Sequence, residues 1–172
     1  MNRKLAVDLE LCFNPPKGKP GLRRIKPDKK RVSNYLDKAI HNLHAMKVMH
    51  NSDIFDWTII CGYYAFYHAV LAALYSIGID ARTHFCALSA FKAFFIERGS
   101  LESKYADFLE RARKLEQKYA HSLDKAQESR VSVQYDIVVL QNDDADWILE
   151  EARNFVEKIE EVLGDVSSLQ SL

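Results

Sequence analysis

Residues 56–77 read DWTIICGYYAFYHAVLAALYSI, the most apolar segment of this 172-residue chain. Apolar side chains occupy nearly every face of a 3.6-residue repeat, which predicts a central helix buried all round. Asp56 suits the positive end of the helix dipole, and Gly78 supplies the stop. Gly62 costs about 1 kcal/mol against Ala in a helix interior, so it predicts close approach by a neighbouring element. No uninterrupted apolar run reaches the ~18–20 residues of a membrane span.

Helical spacing continues on both sides. Before the central segment, Ser33 is a plausible N-cap for a helix bearing Tyr35, Leu36, Ala39, Ile40, Leu43, Met46 and Val48, ending near Asn51. After it, a helix from about Thr83 to Arg98 points Phe85, Leu88, Phe91, Phe94, Phe95 and Ile96 inward, and Gly99 stops it. Ser100 precedes a fourth helix with Leu101, Tyr105, Phe108, Leu109, Ala112, Leu115 and Tyr119, and Glu110 is spaced to pair with Lys114. Residues 127–140 alternate Val131, Val133, Tyr135 and Ile137 with polar partners, an extended pattern. Asp143 or Asp144 then caps a last helix with the stripe Ala145, Ile148, Leu149, Ala152, Phe155, Val156, Ile159 and Leu163, beyond which a tail frays.

The expected fold is all-α: a four- to five-helix up-and-down antiparallel bundle with an irregular N-terminal arm. The expected organisation is a basic arm over 1–31, the bundle over 32–165 and the tail over 166–172. The prolines cluster in the arm, where Asn14-Pro-Pro-Lys-Gly-Lys-Pro-Gly21 cannot be a helix interior. Leu5 to Phe13 fits a short helix or a strand equally well.

Charge divides unevenly. Lys and Arg balance Asp and Glu at 24 each, yet residues 1–31 hold ten basic and three acidic residues, and 141–172 hold two basic and nine acidic. Such a gradient fits either a basic arm with an acidic partner surface, nucleic acid or protein, or two chain ends that attract each other across the bundle. Acidic residues within the first apolar stretch, Asp8 and Glu10, argue against a secretory signal, so a cytoplasmic protein is expected. The three cysteines are widely spaced with no CxxC, which argues against a disulfide framework and a zinc site; Cys61 and Cys86 read as small core residues. No metal or cofactor is expected.

Dinucleotide, P-loop, zincin and nucleophile-elbow signatures are all missing. What remains is polar and aromatic. Tyr64 and His68 form an i,i+4 pair on the central helix, as do Tyr63 and Tyr67, and Arg82 and His84 follow at the next junction. Buried phenols and imidazoles need hydrogen-bond partners, so these residues form either a structural core network or a cleft that binds phosphate or RNA. Arg130, Tyr135 and Asp136 are a second group, readable as an internal ion pair or an anion-binding edge. Arg113 and His121 read as a solvated helix end.

Tyr63-Tyr-Ala-Phe-Tyr-His68, Ala72-Ala-Leu74, Gly78 and Thr83-His84 together resemble the HEPN domain family. Asp8 to Phe13, Arg24-Ile-Lys-Pro27, Tyr35 to Ala39, and Arg130 with Tyr135-Asp136 resemble an archaeal and bacterial branch of it. The resemblance implies a helical bundle that pairs into a homodimer, often an RNase toxin partnered by a minimal nucleotidyltransferase. Its motif is Arg, four to six residues, then His. Here Arg130 is followed by four residues and then Tyr135, and a phenol with a pKa near 10 is a poor general base at neutral pH.

The resemblance therefore implies a nucleotide- or RNA-binding module in which Arg130 holds phosphate, Tyr135 and Asp136 orient it, and Arg82, His84, Tyr64 and His68 border the cleft. The alternatives are a metal-independent endoribonuclease using Arg130 with a displaced histidine such as His84, and a structural protein–protein adaptor.

Overall fold

The computed structural model describes residues 3–115 and 142–169. In chain order these form α1 (Arg3–Phe13), β1 (Leu22–Arg24), α2 (Lys29–Asn51), α3 (Phe55–Ser76), β2 (Ile79–Ala81), α4 (His84–Phe91), α5 (104–115) and α6 (Asn142–Leu169). The all-α expectation holds; β1 and β2 form one short antiparallel ladder with Leu22 opposite Ala81. The extended pattern at 127–140 lies outside the described residues.

Side-chain contacts fix the helix directions. Tyr35 stacks on Tyr75, and Asn42 meets His68, so α2 and α3 are antiparallel. Arg111 bonds Asp144, while Tyr105 packs on Phe155, so α5 and α6 are antiparallel. α3 is the hub: fourteen of its residues, among them Ile59, Tyr63, Phe66, Val70 and Leu74, are buried. By length and composition it could cross a membrane, because its mean hydropathy is high despite interspersed Tyr, Thr and His, but 72% of its apolar window is buried inside the bundle. Here it is a core helix.

The Phe155 ring of α6 lies 5.0 Å from Phe66 of α3, 5.7 Å from Phe91 of α4 and 5.4 Å from Tyr105 of α5. Four helices thus converge on one side chain. Gly62 explains the tight α3–α6 approach. A Cβ there would lie 2.7 Å from Ile148 Cγ1 and 3.0 Å from Met46 Sδ. Gly62→Val is expected to destabilise the protein by about 1–3 kcal/mol through overpacking, measured as a drop in the urea midpoint at unchanged m. Gly78 sits at φ +74°, and a Cβ there would collide with the Ile25 carbonyl, so the α3 stop and the β-ladder share one glycine.

Several local expectations are corrected. α2 begins four residues before Ser33: Asp28 is its N-cap, accepting from the Arg31 backbone N–H at 3.0 Å. Ile40 and Val48 of α2 are exposed, because Ala39 and Met46 define its buried line. Phe85 is 55% exposed, because it follows the cap Thr83 on the solvent side of the first turn of α4. α4 continues as a π-turn over Lys92–Ile96, ended by Gly99 at φ +77°. Glu110 pairs with Arg113 at 2.7 Å, at i,i+3 spacing. Asp143 and Asp144 both lie in the first turn of α6, and its backbone stays helical past Gly164 to Leu169.

The arm is more ordered than its composition suggests, since it carries α1 and β1. Cys12 and Cys86 form a disulfide across 74 residues, with Cα atoms 5.5 Å apart. This overturns the reading of Cys86 as a simple core thiol. α1 docks on α4 and brings together two cysteines that sequence spacing keeps apart. Cys61 stays a free, half-buried thiol, and burial raises its pKa.

Candidate functional site

The tyrosine and histidine cluster of α3 becomes a continuous track of rings. Tyr63 and Tyr67, one turn apart, stack at 6.3 Å between centroids. His84, the first residue of α4, stacks on Tyr67 at 4.0 Å and places Nδ1 2.5 Å from the Tyr63 hydroxyl. Tyr64 meets His84 edge-on at 6.3 Å and also flanks His68 at 6.0 Å. His68 stacks on Tyr35 at 6.0 Å, and Tyr35 stacks on Tyr75 at 5.3 Å. The Tyr75 hydroxyl donates to Asp80 at 2.6 Å and accepts from Arg31 at 2.9 Å.

Electrostatics keep this track neutral. Burial pushes Tyr67 up to about 12, assisted by Tyr35 and Tyr64, so it stays a phenol at neutral pH. Burial, then the charge of Lys38 and the neighbouring His84, pushes His68 down to about 4. The Asn42 amide lies 3.0 Å from His68 Nδ1; with the ring neutral, that nitrogen accepts and Nε2 carries the proton. Burial also lowers His84. Its neutral imidazole against the Tyr63 hydroxyl is a couple through which a proton can pass.

One end of the track opens into a cleft of about 730 Å³. Tyr63 and His84 form its floor, α1 contributes Lys4, Leu5 and Asp8, the π-turn and the residue after it contribute Lys92 and Glu97, and α5 contributes Asp107, Glu110 and Arg113, so three cations stand among four carboxylates. π-turns inside helices recur at functional sites, because the extra residue redirects the following side chains. The Arg113 guanidinium at 2.7 Å from Glu110 lowers that carboxyl's pKa. The rim therefore offers cations of the type that contact phosphate oxygens, interspersed with carboxylates.

His84 lines the cleft beside Tyr63. Tyr64 and His68 belong to the adjoining track and do not line the cleft. Arg82 follows β2 with Nε 4.0 Å from Asp80, half exposed and outside the lining. Arg130, Tyr135 and Asp136 lie outside the described residues, as does His121. Lys4 and Lys92 are lining residues that sequence reasoning did not select and for which no local pattern gave a signal, and Arg113 is a cleft wall where a solvated helix end was expected. Tyr63, singled out in the sequence with Tyr67 as an i,i+4 pair, was not expected to border the site and does. No grouping of three or more metal-ligating side chains occurs among the described residues.

A helical bundle with this cluster on its second long helix matches a known class. A HEPN domain profile matches residues 32–162, and the chain belongs to the HEPN domain family. Two proteins of Methanocaldococcus jannaschii are similar to it. "Putative toxin MJ0142" is 21% identical over 136 residues, covering 78% of this chain and 83% of that one. "Putative toxin MJ0605" is 22% identical over 141 residues, covering 82% of this chain and 95% of that one. The chain is thus a HEPN protein similar to proteins named as toxins.

Proposed function

We propose that this HEPN protein binds RNA or a nucleotide through the cleft floored by Tyr63 and His84. The observation that carries the reading is the juxtaposition of a neutral imidazole–phenol couple with Lys4, Lys92 and Arg113 in one cleft. Lysine and arginine supply the sequence-independent attraction for phosphates, and the exposed Phe85 ring in the same cleft offers a face on which a base stacks. Arg130, Tyr135 and Asp136 complete this reading as phosphate-holding and orienting residues, with Arg82, Tyr64 and His68 bordering the site.

Within the same reading the chain works in the cytoplasm, pairs with a second copy, and partners a minimal nucleotidyltransferase in a toxin–antitoxin arrangement. A monomeric mass in light scattering at micromolar concentration would count against the pairing.

Labelled single-stranded RNA titrated at 50 and 200 mM salt, with EDTA present, tests the binding. Affinity is expected to fall with salt, and His84→Gln and Arg130→Ala are each expected to weaken binding about tenfold with little change in melting temperature. Absence of binding at 50 mM salt, or equal binding by both variants, sinks the reading. The His84–Tyr63 couple also favours a second reading, metal-independent ribonuclease action. There His84 would move the proton and Arg130 would stabilise charge on the scissile phosphate. Cleavage that survives EDTA and disappears in His84→Gln would establish it.

A further inference from the structure

We propose that α1 is a redox-released wall of the cleft, held in place by the Cys12–Cys86 disulfide and freed by a reducing dithiol. Three observations carry this. First, α1 supplies Lys4, Leu5 and Asp8 to one side of the cleft, facing His84 and Tyr63. Second, its main neighbours among the described residues are α4 and β1; it buries only Leu9 and Cys12 fully, Leu5 and Phe13 pack half-buried against the core with Arg24 over the Phe13 ring, and Val7 and Leu11 stand exposed. An eleven-residue helix with so narrow a buried face is marginal on its own. Third, the bond anchors the end of α1 to the first turn of α4, two residues beyond His84. The tether and the cleft floor therefore share one helical turn.

The chemistry is thiol–disulfide exchange. A dithiol's thiolate attacks one sulfur of the pair, forming a mixed disulfide and releasing the other cysteine as a thiolate that takes up a proton. The second thiol of the donor then displaces the remaining cysteine. Two electrons pass to the protein, and the donor leaves as its own disulfide. Both cysteines are almost wholly buried, so attack requires α1 to lift transiently. After reduction, nothing covalent returns it. The chain segment beyond it stays in place, because β1 is paired with β2 and the Arg82 N–H donates to the Gly21 carbonyl at 3.1 Å. Reduction thus frees residues 3–13 as a unit and opens the cleft from one side.

This device bears on the ligand-binding cleft proposed above, but its test needs no ligand, so each idea can fail alone. The full chain, oxidised or reduced with dithiothreitol, is followed by amide hydrogen exchange, with Cys61→Ser included to prevent disulfide shuffling. Residues 3–13 are expected to exchange at least tenfold faster after reduction while α3 and α6 keep their protection. Carbethoxylation of His84 by diethylpyrocarbonate should accelerate severalfold in parallel. Cys12→Ser should reproduce the reduced pattern without any reductant. Unchanged exchange over 3–13 would overturn the proposal, as would loss of protection throughout the bundle, or three titratable thiols in the unfolded, unreduced wild-type protein.

Discussion

Phe155→Ala is expected to cost the fold about 3–5 kcal/mol, the upper range for truncating a single core side chain. Phe155 is wholly buried and its ring meets Phe66, Phe91 and Tyr105 from three other helices. Removing it leaves a void that no one helix can fill by shifting, because each is held by its own neighbours. The transfer loss and the void add. Urea unfolding followed by circular dichroism should show a midpoint lowered by a molar unit or more, about 1–3 kcal/mol per molar being the usual slope. A change below about 1 kcal/mol would mean that α6 does not seat against α3 as described. Phe155→Leu, which keeps most of the volume, should recover much of the loss.

Acidification supplies the second large effect. His68 has its pKa pushed down to about 4 in the folded protein, while an unfolded histidine titrates near 6.5. Between those values the unfolded chain binds the extra proton and the native state does not, so stability falls as pH falls. The contribution is complete above pH ~6.5 and is lost progressively as pH drops through about 4. His84, lowered by burial, acts in the same direction. Because the His68 ring keeps partial contact with water, its own share is discounted to about 1–2 kcal/mol. Aspartate and glutamate also titrate near pH 4, so the informative quantity is a difference. His68→Gln can still accept from Asn42 but cannot charge, and its stability-versus-pH curve should be flatter than that of the wild type between about pH 6.5 and 4. Parallel curves would show that His68 is as solvated in the native state as in the unfolded one.

The parts of this fold that could be read in advance are those where one element's own periodicity decides its environment. The apolar run of α3 buries between Ile59 and Tyr75, though Trp57 and Ile77 at its two ends are exposed, and the stripe from Ala145 to Leu163 buries as its spacing dictates except for the half-buried Leu149. Gly62 likewise marked a close approach before its neighbours Ile148 and Met46 were known. Expectations failed where a second element decides. The run Lys29-Lys30-Arg31 looks like a solvated arm until Asp28 is seen capping it. Ile40, Val48 and Phe85 follow apolar spacing but sit on the far side of their helices from the hub. Cys12 and Cys86 meet only because α1 docks on α4, a pairing that spacing does not encode.

The site divides in the same way. Tyr63, Tyr64, Tyr67 and His68 are legible because they share one helix, and His84 because it opens the next. Lys4, Lys92 and Arg113 reach the cleft from α1, a π-turn and α5, and no local pattern announces a cleft assembled from three directions.

The Cys12–Cys86 bond also bears on how the chain is assembled. It encloses the hub α3 in a covalent ring of residues 12–86, whereas α6, which covers the hub's Gly62 and Phe66, lies wholly outside that ring. If an oxidant that accepts the two electrons closed the ring on a nascent chain, the hub would be cross-linked before α6 had been translated to cover its apolar flank. In a reducing compartment the ring stays open until after release, and α6 can cover the flank first.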